Sequence, residues 1–187
     1  DYFFMHTPSN GDWRVALDDS QALQVFQPGD LVAVEGELEP LRNRHTTRLF
    51  KARVVRKGHD ASLLPPFEPI TATELYAHPE DAVLPSPDWY AHRVRIEGVV
   101  FDFWLKERLL SFTIREGGRI VLCHVYNHDN APLPSHFAVG ARVSLDGVGC
   151  YQTERDARGK LVAFDSVNIH AQSIDALVVL TRPPFWG

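Results

Sequence analysis

Alternation of apolar and polar residues, not helical spacing, runs through most of this chain. In Leu31–Leu38, Val32, Val34, Gly36 and Leu38 fall on one face and Ala33, Glu35 and Glu37 on the other. That period of two predicts a half-buried strand. Tyr2–His6 and Trp13–Leu17 flank Pro-Ser-Asn-Gly, a hairpin-like connection, and Arg48–Lys57 is a further β-rich run. Arg93–Trp104 places Val94, Ile96, Gly98 and Val100 on one face. Beyond Gly98, Val99, Phe101 and Phe103 make the opposite face apolar too. A strand apolar on both sides around a glycine predicts a bulge or sharp coil, where one strand serves two sheets of a small barrel. Leu109–Arg115 and Arg119–Tyr126 flank Glu116-Gly117-Gly118, a tight hairpin. Ala141–Tyr151 and Leu161–Ala171 flank the charged turn Glu154–Lys160.

Between these strand-rich parts the composition shifts. Residues 59–90 are rich in proline, with Pro65, Pro66, Pro69, Pro79, Pro85 and Pro87 each interrupting regular structure. Within it, Ile70–Tyr76 carries Thr71 and Glu74 at capping-box spacing and predicts a short helix. The stretch reads as an ordered connector between a first domain, 1–58, and a second, 91–187.

The two domains share an internal repeat. Phe26-Gln-Pro-Gly-Asp-Leu-Val-Ala-Val-Glu-Gly36 aligns without gaps on Phe137-Ala-Val-Gly-Ala-Arg-Val-Ser-Leu-Asp-Gly147. Phe, Gly, Val and Gly are identical, and Val34/Leu145 and Glu35/Asp146 are conservative. Each copy reads hairpin, connector, Phe-x-x-Gly, strand with a late glycine, turn, strand. Five strands with a connector between the third and fourth is the order of an OB-type barrel. The expected fold is therefore all-β, with two tandem OB-like five-stranded barrels. The first copy lacks an obvious first strand. A generic β-sandwich is the alternative.

Composition narrows the function classes. The 187 residues carry a net charge of −5 with pI near 6.0, which argues against a protein whose main task is neutralising phosphates. No stretch approaches the roughly 20 apolar residues of a membrane span. The chain begins Asp-Tyr-Phe-Phe, without an initiator Met or signal-peptide core, and reads as an excised fragment. Cys123 and Cys150 lack CxxC spacing. Cys123 shares the face of Val121 and Val125, so two unpaired, buried thiols are expected.

Several motifs in fixed order carry a resemblance. They are Tyr2-Phe-Phe-Met, Trp13-Arg-Val-Ala, Pro28-Gly-Asp-Leu-Val-Ala-Val-Glu-Gly36, Leu64-Pro-Pro with Ile70-Thr-Ala-Thr-Glu-Leu75, Asp88-Trp89 leading into Val94-Arg-Ile-Glu-Gly-Val-Val100, Gly140-Ala-Arg-Val-Ser-Leu-Asp-Gly147, and Pro183-Pro-Phe185. Together they resemble the tandem OB-like N-terminal region of bacterial membrane-bound sensor histidine kinases and related signalling proteins. The resemblance covers nearly the whole chain. It implies an extracytoplasmic, periplasmic input or scaffold region and supplies no set of ligand-binding residues.

Signatures of catalysis are absent from the sequence: no HExxH, GxSxG, Walker loop, GxGxxG after a strand, or CxxC occurs. His124, His128 and Asp129 form an H-x-x-x-H-D string, but a strand followed by a loop does not give the helical i, i+4 geometry that chelates a metal. No cofactor or metal is implied. Aromatic residues are the better lead. Trp104, Phe112 and Tyr126 lie on the first three strands of the second copy, beside Arg115 and Arg119. OB barrels bind ligands on their strand 2–3 face and adjacent loops, where aromatic rings stack bases or sugars. Phe101, Phe103 and Phe112 also suit a core, and Trp104 is the residue best placed to face outward. In the first copy, Arg42 and Arg44 occupy the strand 4–5 loop, another OB contact position. The leading expectation is a non-enzymatic sensory or interaction module for an unidentified small molecule or partner protein. A single-stranded nucleic-acid-binding OB protein and a carbohydrate-binding domain are the alternatives, and homo-oligomerisation stays open.

Overall fold

The structure is a computed structural model and describes residues 2–8, 11–18, 26–38, 48–76, 86–127, 129–155 and 161–184. Two compact units divide the chain, Asp1–Pro66 and Phe67–Gly187. Both are built of β-strands, and no α-helix occurs among the described residues. Among the described residues no helix is long and apolar enough to cross a membrane.

The first unit contains β1 (Tyr2–Thr7), β2 (Gly11–Leu17), β3 (Asp30–Leu38) and β4 (Arg48–His59), in the sheet order β1-β2-β4-β3. β1 and β2 form the expected hairpin, β2 and β4 run parallel, and β3 and β4 antiparallel. This is the strand order of an OB barrel without its first strand. Val15, Ala52 and Val54 are fully buried, with Phe3, Met5, Trp13, Leu17, Phe26, Val32, Val34 and Leu49 packed around them. Asp30, at the start of β3, is nearly covered and takes Arg56 at 2.6 Å and His59 at 2.9 Å. Its carboxyl is held below the ordinary range, first by the Gln27 N–H and then by His59.

The second unit begins with β5 (Glu68–Ile70), which runs parallel to the start of β6 (Arg93–Lys106). β7 (Leu109–Glu116), β8 (Arg119–Tyr126), β9 (Arg142–Arg155), β10 (Leu161–Ala171) and β11 (Leu177–Thr181) follow. β6 pairs with β7 along one part of its length and with β9 along another, so β6-β7-β8-β10-β9 closes on itself. β8 and β10 are parallel. Order and directions are those of a closed five-stranded OB barrel. β6 changes partner at Val99, which lies opposite both Arg142 and Arg115. The bend is where alternation broke in the sequence: a side chain at Gly98 would sit 3.0 Å from Ile114 Cβ, and the register slips between Val100 and Asp102.

The repeated residues have matching roles. Gly29 and Gly140 both adopt left-handed φ, 94° and 87°. Each sits in a turn closed by an i to i+3 bond, Asp30 N to Gln27 O and Ala141 N to Ala138 O. That is the conformation for which glycine is favoured at the third turn position. Phe26 and Phe137 then fold back onto the interior, Phe26 against Phe3 and Phe137 against Phe112. The late glycines, Gly36 and Gly147, lie where one strand crosses close to the next.

Within the proline-rich stretch, residues 71–76 form a turn and not the expected short helix. The capping interactions are present, since Glu74 accepts from both Thr71 N and Oγ1. They close a single turn with i to i+3 bonds, and Ala72 N is taken by Glu116 of β7. Helix propagation needs successive i to i+4 bonds, and one turn does not repay nucleation. Ala72 and Leu75 are buried, so this turn packs on its own unit. Cys123 and Cys150 are both buried.

The repeat glycines yield a graded prediction. A Cβ at Gly147 would lie 2.5 Å from Ile169 Cγ2 and 2.8 Å from the His170 carbonyl oxygen, whereas one at Gly36 meets Ala52 and the Phe50 carbonyl at 3.2 Å. Gly147→Ala should cost its unit about 1–3 kcal/mol, as overpacking does. Gly36→Ala should cost the first unit less. Urea titrations followed by NMR signals of each unit measure both, and equal losses would contradict the packing account.

Candidate recognition face on the second barrel

Strand alternation sorts the second barrel's side chains into two sets. Leu110, Phe112 and Ile114 of β7, Val121, Cys123 and Val125 of β8, and Val167, Ile169 and Ala171 of β10 point inward and are buried. The alternate positions lie on the opposite side of the strands, where Ser111 and Asn168 are nonetheless buried, and the registers align them in rows. Trp104 is opposite Ser111, Ser111 opposite His124, and His124 opposite His170. A second row runs Asp102, Thr113, Leu122, Asn168, and a third Lys106, Leu109, Tyr126. These rows form the outer face of β7, β8 and β10, the surface that OB barrels use for ligands.

The centre of this face holds two imidazoles. The His124 and His170 rings are 4.9 Å apart at centroid, and Tyr126 lies 6.5 Å from His170. Ser111 Oγ is 2.9 Å from His124 Nδ1, which fixes that ring's orientation. Burial pushes the His124 pKa down, which favours the neutral ring, and Ser111 already engages its Nδ1. At the edge, Trp104 is 46% exposed. Beside it, the Thr113 hydroxyl is buried with no hydrogen-bond partner among the described residues. An orphaned buried hydroxyl costs about 1–3 kcal/mol, and a bound group that reaches it would recover that energy.

The residues singled out from sequence separate here. Trp104 and Tyr126 share the outer face, as their strand positions allow. Phe112 does not: it is fully buried, edge-on to Phe137 at 5.4 Å, because it stands opposite inward-facing Phe103 and Cys123. Phe112 is therefore a core residue. Arg115 is exposed on the outer face between Val99 and Ile120. Arg119 lies on the other side of the same hairpin, with its guanidinium 5.0 Å from the Tyr76 ring. The two arginines thus do not act together. Arg42 and Arg44 lie outside the described residues, as does His128 of the H-x-x-x-H-D string. No cluster of three or more metal-ligating side chains occurs among the described residues.

His170 and Ser111 join the face unheralded by any motif. The signal for His170 was the polar alternation in Val167-Asn-Ile-His-Ala171, readable as a site only once β10 is known to run beside β8. The first unit carries an aromatic counterpart on β1 and β2. Tyr2 and Phe4 meet edge-on at 5.7 Å, and the Arg14 guanidinium lies 3.9 Å from the Tyr2 ring centroid.

Comparisons with known proteins add little beyond the strand order. No protein-family model matches the chain. No curated protein matches it either. Among solved structures, a protein described as an aspartyl-tRNA synthetase from Leishmania major Friedlin is similar at 12% identity and TM-score 0.42, covering 66% of this chain and 22% of its own. The aspartyl-tRNA synthetase of Entamoeba histolytica is similar at 16% identity and TM-score 0.39, over 59% of this chain and 22% of its own. An OBody, AM3L09, bound to hen egg-white lysozyme is similar at 17% identity and TM-score 0.40, over 63% of this chain and 99% of its own. This chain thus matches under a quarter of each synthetase. Likeness at this level carries no argument about what the present chain binds, and the fold assignment rests on the observed strand order and directions.

The half-buried His124 imidazole gives a pH prediction. The folded-state pKa of His124 is depressed below that of the unfolded chain, so its neutral form stabilises the fold. That contribution is full above the ordinary histidine value and is lost as pH falls through the folded pKa. An NMR titration should place the His124 midpoint below about 6.5. A midpoint above that value would contradict the burial argument.

Proposed function

We propose that this protein is a non-enzymatic recognition module that binds its target on the outer face of β7, β8 and β10 in the second barrel. One observation carries the reading: Trp104, Ser111, His124 and His170 lie in a single cross-strand row, flanked by Tyr126. A partly exposed indole offers a stacking surface, and imidazole rings offer directional hydrogen bonds. The central row contains no lysine or arginine. Lys106 stands in a flanking row, Arg115 lies one row farther out between Val99 and Ile120, and Arg119 faces away. The arrangement favours an uncharged planar group, from a small molecule or a partner's side chain, over a phosphate backbone. The net charge of −5 agrees.

The module's role is to bias a signalling domain of a bacterial protein, as its motif order resembles the input region of sensor histidine kinases. An extracytoplasmic setting follows from that resemblance alone. A downstream kinase or cyclase domain encoded in the same gene would support the role, and a complete cytosolic gene would oppose it.

Chemical-shift mapping tests the binding face directly. Titration of the labelled chain with indole, adenosine, a thymidine decamer and a short oligosaccharide should perturb amides of β7, β8 and β10. Trp104→Ala should weaken binding by at least about tenfold, or about 1.4 kcal/mol. Phe101→Ala, at an exposed bulge outside the rows, should leave it unchanged. Perturbations confined to other surfaces would overturn the assignment. Tight decamer binding with a steep salt dependence would instead establish the nucleic-acid reading.

A further inference from the structure

His124 and His170 stand directly opposite each other on the parallel strands β8 and β10. Both residues are partly exposed, so an ion in solution can reach them. Their ring centroids lie 4.9 Å apart and the planes are tilted by 48°, which excludes flat stacking. An imidazole nitrogen bonds Zn²⁺ at about 2.0–2.1 Å, which sets the centroid of its ring about 3.2 Å from the ion. With angles of about 90–109° at the metal, two such centroids are about 4.5–5.2 Å apart. The observed pair already has the spacing of two rings on one ion.

The neighbouring strand orients one nitrogen for this task. In the cross-strand row, Ser111 of β7 and His170 of β10 flank His124 on opposite sides. Ser111 Oγ is 2.9 Å from His124 Nδ1. The two nitrogens of an imidazole point about 140° apart, so a ring with Nδ1 turned to β7 turns Nε2 towards β10. With Nδ1–H donated to Ser111 Oγ, Nε2 keeps the lone pair that a metal takes. Metal-ligating histidines usually hold their second nitrogen in this way. His170 has the same two nitrogens: one serves the ion and the other keeps a protein partner. The row of Trp104, Ser111, His124 and His170 contains no lysine or arginine to repel a cation.

We propose that His124 and His170 form a two-imidazole site for a divalent transition-metal ion of the Zn²⁺, Ni²⁺ and Cu²⁺ class, with His124 Nε2 and one ring nitrogen of His170 as its ligands. Imidazole suits these ions, whereas Mg²⁺ and Ca²⁺ take oxygen ligands. Two nitrogens fill half of a tetrahedral shell, so water or a donor atom of a bound molecule fills the rest. That number of ligands is consistent with the lack of any cluster of three or more among the described residues. The site goes beyond the recognition reading and does not rest on it: the ion binds whether or not an organic ligand does.

Titration of the full chain with Zn²⁺ near neutral pH, followed by imidazole ¹⁵N spectra and calorimetry, tests the site. One ion should bind per chain, and His124 Nε2 and one His170 nitrogen should shift together with a single midpoint. His124→Gln and His170→Gln should each weaken binding by at least about tenfold, and Ser111→Ala by about tenfold, as loss of the bond that supports a metal-bound histidine does. His136→Gln, at an exposed position outside the row, should leave binding unchanged. Excess Mg²⁺ should not displace the zinc. The spectra of the unsubstituted chain decide the question even where a variant fails to fold. Shifts at other histidines with none at these two, or zinc held equally well by a folded His170→Gln chain, would overturn the proposal. So would no saturation below about 1 mM, equivalent to about −4.1 kcal/mol. One ion shared between two chains, revealed by sedimentation as zinc is raised, would overturn it as well.

Discussion

Everything in the second unit depends on one strand making two sets of backbone bonds. β6 pairs with β9 from Arg93 to Val99 and with β7 from Val99 to Lys106. A flat strand cannot do this, so the constraint is local: the chain must bend midway without a side chain on the inside of the bend. Gly98 meets it, and the slipped register after Val100 completes the turn. Arg95–Asp146 and Arg142–Glu97 cross the seam on the outside. Exposed pairs of this kind contribute about 0–1 kcal/mol each, so they set register more than stability. Closure itself is secured by the ladder and by burial of Val94, Ile96 and Val100.

Closure fixes the geometry of the candidate recognition face. With both flanks of β7 and β8 held, outward side chains from β6, β7, β8 and β10 stay in rows. His124 and His170 meet only because β10 lies parallel to β8. That pairing is possible because β9 turns the chain around the barrel, which Gly147 permits by letting β9 pass close to Ile169 and His170. Sites built on strands of a closed barrel are positioned by the scaffold and need little reordering to bind.

Much of this was legible in the sequence, and the exceptions have physical causes. Alternation located the barrel strands, and the Phe-x-x-Gly repeat reported a real turn, with Gly29 and Gly140 at positive φ. The break in alternation at Gly98 located the bend. The first copy shows no obvious first strand in its sequence, and none occurs among the described residues. β5 escaped because three residues, one of them Pro69, carry no period. The short helix did not form because Thr71 and Glu74 satisfy one turn and nothing extends it. At the site, Trp104 and Tyr126 were legible from strand position, while Phe112 faces inward because register, not aromaticity, decides direction. His170 was illegible because a parallel contact between strands more than 40 residues apart leaves no local trace.

Native-state hydrogen exchange measures the closure on which the site depends. Amides of β6 from Val94 to Val99 should exchange as slowly as the β8–β10 amides around Ile169, and at the rate of unfolding of the whole second unit. Faster exchange of β6, with β7 and β8 still protected, would show β6 to be a fraying edge and would contradict a closed barrel.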